Sequence, residues 1–64
     1  MKLNDRELEI VRQIAAGKTT AEIAANLSLS PETIKWYRKK LLAKFEACNS
    51  AMMVKMASEA GLLF

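Results

Sequence analysis

At 64 residues the chain has room for one domain, 1–64, around one small core; a domain of this size buries only about 60% of the surface its unfolded form exposes. Cys48 is the only cysteine and there is no histidine, which excludes a disulfide framework and the three- or four-ligand His/Cys constellations of zinc sites. Lys and Arg number 10 against 7 Asp and Glu, a net charge of +3. No apolar run approaches the roughly 18 residues of a membrane span, and Asn4-Asp5-Arg6-Glu7 leave no place for the apolar core of a signal peptide. The expectation is a soluble, cytoplasmic domain without metal or cofactor.

The chain punctuates itself into helices. Asn4 can cap a first helix over about 5–16, with Glu7 at the third helical position reaching back to a free N–H. Leu3 and Leu8 fall where a hydrophobic staple would sit. Leu8, Val11, Ile14 and Ala15 form the apolar face, and Gly17 can take the left-handed conformation that ends the helix. Thr20 is expected to cap a short second helix over 21–27 that carries Ile23, Ala24 and Leu27. Ser30-Pro31-Glu32 restarts the chain, with Ser30 as cap and Pro31 where its missing N–H costs nothing. This third helix runs over 31–45. Asn49 caps a fourth helix over 50–60, before Gly61. No strand pattern appears, so the fold class is all-α, a four-helix bundle.

The second and third helices have the makings of a helix-turn-helix. That unit needs a three- or four-residue turn, a small residue at the crossing and an apolar clamp at the corner. Ala24 is the small residue; Ile23, Leu27, Leu29 and Ile34 are the clamp. Ser28 stands at a turn position that favours glycine. The same spacing would also suit a plain helical hairpin, and the third helix tips the balance. With 100° per residue, Ile34, Leu41 and Phe45 fall within about 20° of one another and face inward. Trp36, Lys39, Lys40 and Ala43 face outward with Lys35 on the flank, and Tyr37 is half buried. Arg38 lands toward the core side and is expected to run along the helix to its end. Five of the ten basic residues lie here: Lys35, Arg38, Lys39, Lys40 and Lys44. A basic, capped helix after a tight turn suits a phosphate-lined groove, and an outward tryptophan suits a partner surface.

These segments together resemble one family across residues 3–63, the LuxR-type (NarL/FixJ-type) helix-turn-helix effector domain. Leu3-Asn4-Asp5-Arg6-Glu7-Leu8-Glu9-Ile10 is similar to its opening L-T-x-R-E-x-E-V/I. Ala16-Gly17-Lys18-Thr19-Thr20-Ala21-Glu22-Ile23-Ala24 is similar to G-x-S/T-N-K-E-I-A. Leu29-Ser30-Pro31-Glu32-Thr33-Ile34-Lys35 is similar to L-S-x-x-T-V-K, and Gly61-Leu62-Leu63 to its usual ending. The resemblance implies the output domain of a transcriptional regulator that binds double-stranded DNA, with an N-terminal receiver or sensory domain as in response regulators. It places Lys35, Trp36 and Lys39 at base edges and makes Thr20, Ser30, Thr33, Tyr37 and Lys40 candidate phosphate contacts. This chain departs from the pattern at Tyr37, where histidine is common, at Trp36, where a small residue stands, and at Glu46, where glycine often closes the third helix and a differently built corner is therefore open. Cys48 reads as a small structural residue.

The resemblance also gives the fourth helix dimer contacts. Ala51, Val54 and Ala57 are expected to face the core, leaving Met52, Met53 and Met56 as the seam of a weak homodimer on DNA; a core built around those methionines is the alternative. A protein-docking module without DNA binding, for RNA polymerase or another regulator, would use Trp36 and the methionines as anchors. An enzyme is not expected, because no nucleophile–base pair can be assembled from these residues.

Overall fold

The computed structural model describes residues 2–63. Among them the chain forms four α-helices: α1 (Asp5–Ala15), α2 (Thr20–Leu27), α3 (Pro31–Phe45) and α4 (Ser50–Glu59). α1 packs against each of the other three, α2 packs on α3, and α3 on α4. The architecture is the all-α bundle expected from the sequence, with the helix-turn-helix formed by α2 and α3.

Each start is fixed by a side chain that satisfies an otherwise free N–H. Asn4 Oδ1 accepts from the Glu7 N–H at 2.8 Å, and Glu7 Oε1 accepts from the Asn4 N–H at 3.0 Å. Ser30 and Asn49 cap α3 and α4 as expected. The second helix corrects the sequence reading, because Thr19 caps it and Thr20 is its first residue. The reason is reciprocity: Thr19 stands three residues before Glu22, so hydroxyl and carboxylate exchange bonds with each other's N–H at 3.1 and 2.8 Å. Capping at Thr20 would put Ile23 at the third position, where nothing could reach back.

All four helices end alike. Gly17, Ser28, Glu46 and Gly61 have positive φ, and the residue after each donates to a carbonyl five positions back. The bond satisfies a terminal carbonyl and turns the chain sharply. After three of the four ends the donor is apolar (Leu29, Ala47, Leu62) and packs on the core. Leu29 thereby plugs the helix-turn-helix corner. Ser28 and Glu46 hold φ of 56° and 54° without the freedom of glycine, at a cost of about 1–2 kcal/mol each. The corner after α3 is thus closed in the ordinary way, with Glu46 accepting the strain.

The core joins Ile10, Val11 and Ile14 of α1 to Ile23 and Ala24 of α2, Ile34, Leu41 and Phe45 of α3, and Met53 and Ala57 of α4. Two faces differ from expectation. In α1, Ile10 is fully buried while Ala15 is exposed, because a helix touched on three sides buries a wide sector centred on Ile10, Ile14 and Val11. In α4, Met53 is 0% exposed and Ala51 is exposed. The inward direction runs through Met53 and Ala57, one turn apart, with Val54 and Met56 on its flanks. Met53 therefore belongs to the core and not to a surface seam; its long side chain fills space between helices that the methyl of Ala51 could not. Met52, 44% exposed, is the methionine left outside. Cys48 is also exposed, and its N–H donates to the Met52 sulfur at 3.4 Å.

These placements separate the methionines energetically. Met53→Ala should cost about 2–5 kcal/mol, as a core truncation does. Met52→Ala should stay within about 0.5 kcal/mol, as a surface change does. Urea denaturation of both variants checks the difference, and equal costs would contradict the assigned core.

Candidate nucleic-acid interface

The corner that turns α2 into α3 decides what α3 presents. Ser30 sets its start, with Oγ accepting from the Thr33 N–H at 3.2 Å and pairing with the Thr33 hydroxyl at 2.9 Å. Ile34, Leu41 and Phe45 then anchor one face in the core. The opposite face follows from 3.6 residues per turn: Lys35, Trp36, Lys39, Lys40 and Ala43 are exposed, while Thr33 and Tyr37 at its edge and Arg38 on the inner side are half-buried.

The basic residues of α3 divide into three groups. Lys40 and Lys44 turn toward α1, where Glu7 is only 1% exposed. Lys44 Nζ donates to both carboxylate oxygens at 3.0 and 3.1 Å, and Lys40 Nζ lies 3.4 Å from Oε2. Arg38 does not run along the helix to its end. It spans instead to the neighbouring helices, donating to Ser50 Oγ at 2.9 Å and, at 3.5 Å, to Thr20 Oγ1. Lys35 and Lys39 form the third group; among the described residues neither has an ion-pair or hydrogen-bond partner.

Trp36 stands between these groups, 57% exposed. Tyr37 meets it in a T-shaped arrangement, with ring centroids 5.0 Å apart and planes at 77°. The Lys40 ammonium sits 5.0 Å from its ring centroid, within the range of a cation–π attraction. The indole is thus exposed and supported at once.

The structure brings Lys35, Trp36 and Lys39 onto one exposed surface, as expected. Thr20, Ser30 and Thr33 lie at helix N-termini, but the Ser30 and Thr33 hydroxyls already pair locally and the Thr20 hydroxyl accepts from Arg38 at 3.5 Å. Lys40 is shared between Glu7 and Trp36. Two residues were missed in the sequence reading as organisers of this surface. Glu7 is more than half of a capping box: it also pairs with Lys40 and Lys44, which lie four apart on one flank of α3. Arg38 departs from the expected path along its own helix, because a long cation on the inner side reaches the neighbouring helices more readily. Among the described residues no group of three His, Cys, Asp or Glu could hold a metal, and no helix is long and apolar enough to cross a membrane.

Glu7 anchors the pattern electrostatically. The Asn4 N–H holds its carboxyl below the ordinary value, against the opposing effect of burial, with Lys44 and then Lys40 adding to the lowering. Glu22 is lowered too, by the Thr19 N–H and hydroxyl. A carboxyl with a depressed folded-state pKa contributes stability that is complete above its unfolded pKa and lost as pH falls through the folded one. Glu7→Gln should therefore cost about 1–2 kcal/mol at pH 7, allowing for screening of the partly exposed lysines. The gap between the native chain and the variant should close as pH falls below about 4.5. Urea denaturation between pH 7 and pH 3 reads this; a gap that does not change with pH would contradict the role given to the carboxylate.

A helix-turn-helix that presents a basic, tryptophan-bearing helix defines a class, and comparison with known proteins defines the family. Residues 1–57 match the family described as bacterial regulatory proteins, luxR family. The chain is 40% identical over 63 residues to the regulatory protein SdiA of Escherichia coli, covering 98% of this chain and 26% of SdiA. It is 37% identical over 59 residues to the transcriptional regulatory protein DesR of Bacillus subtilis, covering 92% of this chain and 30% of DesR. Among solved structures, a Vibrio cholerae VqmA dimer without target DNA superposes with a TM-score of 0.91 at 29% identity, over 98% of this chain and 29% of that one. VqmA in complex with ligand and DNA gives 0.88 at 31% identity, over 97% and 27%. The chain belongs to the LuxR family of bacterial regulatory proteins, whose helix-turn-helix domains serve transcriptional regulators and not enzymes. It spans between a quarter and a third of the length of these relatives.

Proposed function

We propose that residues 1–64 act as one sequence-specific double-stranded DNA-binding domain, the output domain of a transcriptional regulator, with α3 in the major groove. The observation that carries this reading is the surface of α3, where Lys35 and Lys39, without partners among the described residues, flank an exposed Trp36. Lys35 and Lys39 can donate to the guanine acceptors that line a major groove. Thr20, Ser30, Thr33 and Tyr37 lie to the sides of that surface, where phosphates would pass. Lys40 lies there as well, but its charge is already engaged by Glu7. VqmA, a relative of similar fold, has been solved with DNA.

A titration onto a generic duplex at two salt concentrations, read by fluorescence anisotropy, tests the reading. Binding should weaken steeply with salt, because each neutralised phosphate contributes a slope of about −0.9. Lys35→Ala/Lys39→Ala should weaken binding at least tenfold, since a good lysine or arginine contact to guanine carries about 1–3 kcal/mol. A folded protein that ignores DNA at low salt would sink the reading and favour a protein-docking module.

Two copies on a near-palindrome would lie about one helical turn apart. The weak homodimer seam of this reading is the outer side of α4 at Met52, with Met56 on its edge and Met53 withdrawn into the core. Methionine packs adaptably and suits a contact that forms and dissolves. In a Cys48→Ser/Met52→Cys background, mild oxidation should trap a dimer on DNA and little without it. Monomer under both conditions would remove the seam. A receiver or sensory domain in the full-length protein, cytoplasmic action and contact with RNA polymerase belong to the same reading, supported by the kind of regulators the chain resembles.

A further inference from the structure

We propose that Lys40 is a positioning residue, fixing the Trp36 indole so that it reads a pyrimidine C5-methyl group in the groove, and that it does not contact phosphate. The inference rests on the reading of α3 as the groove helix.

A chain of contacts leads from the core to the indole. Glu7 is buried and held by the Asn4 N–H and by Lys44. Its Oε2 lies 3.4 Å from Lys40 Nζ, which stands 5.0 Å from the Trp36 ring centroid. Tyr37 meets the indole in a T-shaped arrangement. The ammonium is thus bounded by a carboxylate on one side and a ring on the other. A lysine already neutralised by a carboxylate releases few counterions by moving to a phosphate, since the buried Glu7 would then lose part of its compensation.

The support also limits what Trp36 can meet. The Lys40 cation and the Tyr37 ring hold the indole through two contacts, and apart from its single N–H what it offers the groove is apolar ring surface. The edges of base pairs in a major groove are polar donors and acceptors, with one apolar exception, the C5-methyl of thymine. 5-Methylcytosine carries the same methyl. Thymine is the source to which the proposal commits, and 5-methylcytosine serves as the chemical check.

The probe is a duplex of about 20 base pairs recovered from a random pool by repeated selection with this protein, remade with single deoxyuridines in place of thymidines. The native chain should bind about fourfold more weakly at one such position, the worth of one buried methyl. At that position a 5-methylcytosine pair should bind better than an unmethylated cytosine pair. Trp36→Ala, shown folded by circular dichroism, should lose both distinctions. Lys40→Gln should lose most of the thymine-over-uracil preference while keeping the native salt slope, and Lys40→Arg, which retains the cation, should restore the preference. Indifference of the native chain to the methyl in either arm would overturn the proposal. So would a Lys40→Gln slope reduced by about 0.9 with the preference intact, which is what a phosphate contact predicts. Failure to bind any duplex would be a different result, removing the DNA reading and this inference with it.

Discussion

Glu7 is the point on which both the fold and the proposed interface turn. One carboxylate completes the cap of α1 through the Asn4 N–H and receives Lys44 and Lys40 from α3. A buried carboxylate without partners would cost several kcal/mol, so it constrains everything near it. α1 must begin at Asp5, and α3 must turn its lysine flank toward α1. Once that flank is fixed, the opposite side of α3 is fixed as well, and with it the direction in which Trp36, Lys35 and Lys39 point.

The division of the basic residues follows from the same constraint. A count of charges on α3 suggests one uniform cationic face. The structure separates cations that hold the bundle together, Lys40, Lys44 and Arg38, from cations that nothing in the described chain engages, Lys35 and Lys39. Arg38 crosses to Ser50 and, more distantly, Thr20, so it ties the first residues of α4 and α2 to the middle of α3. The helix proposed to enter the groove is therefore braced from α1, α2 and α4. A preorganised surface of this kind loses less entropy on binding than a mobile one.

How much of this was legible in the sequence depended on whether the signal was local. The caps at Asn4, Ser30 and Asn49, the left-handed end at Gly17 and the inward face of α3 all follow from residues within one or two turns of each other, and the structure has them. The cap of α2 was equally local, and the Thr19–Glu22 spacing was the signal passed over in favour of Thr20. The inner face of α4 was harder. Met53 and Ala51 both lie near an apolar stripe, and only the space between α1 and α3 decides that the larger side chain goes in. Glu46 shows the reverse case, where an unfavourable residue accepts the left-handed conformation because the turn demands it. The ion pair of Glu7 with Lys44 joins residues 37 apart in sequence, and that with Lys40 is nearly as distant; periodicity alone cannot reveal such pairings. The membership of the family was legible because the matching segments run the length of the chain. Which residues touch a partner is not legible in the same way, because a contact depends on the partner's surface as well as on the chain's own periodicity.

The most direct test of the account uses the single tryptophan as a built-in reporter. Its indole N–H gives one resonance in a ¹⁵N-correlated spectrum, to be followed with the backbone amides as a short duplex is added. The account predicts that this resonance and the amides of Lys35 and Lys39 shift together and saturate together, while the amides of the outer side of α1 stay in place. A duplex that binds while Trp36 and the N-terminal half of α3 remain unperturbed would contradict it.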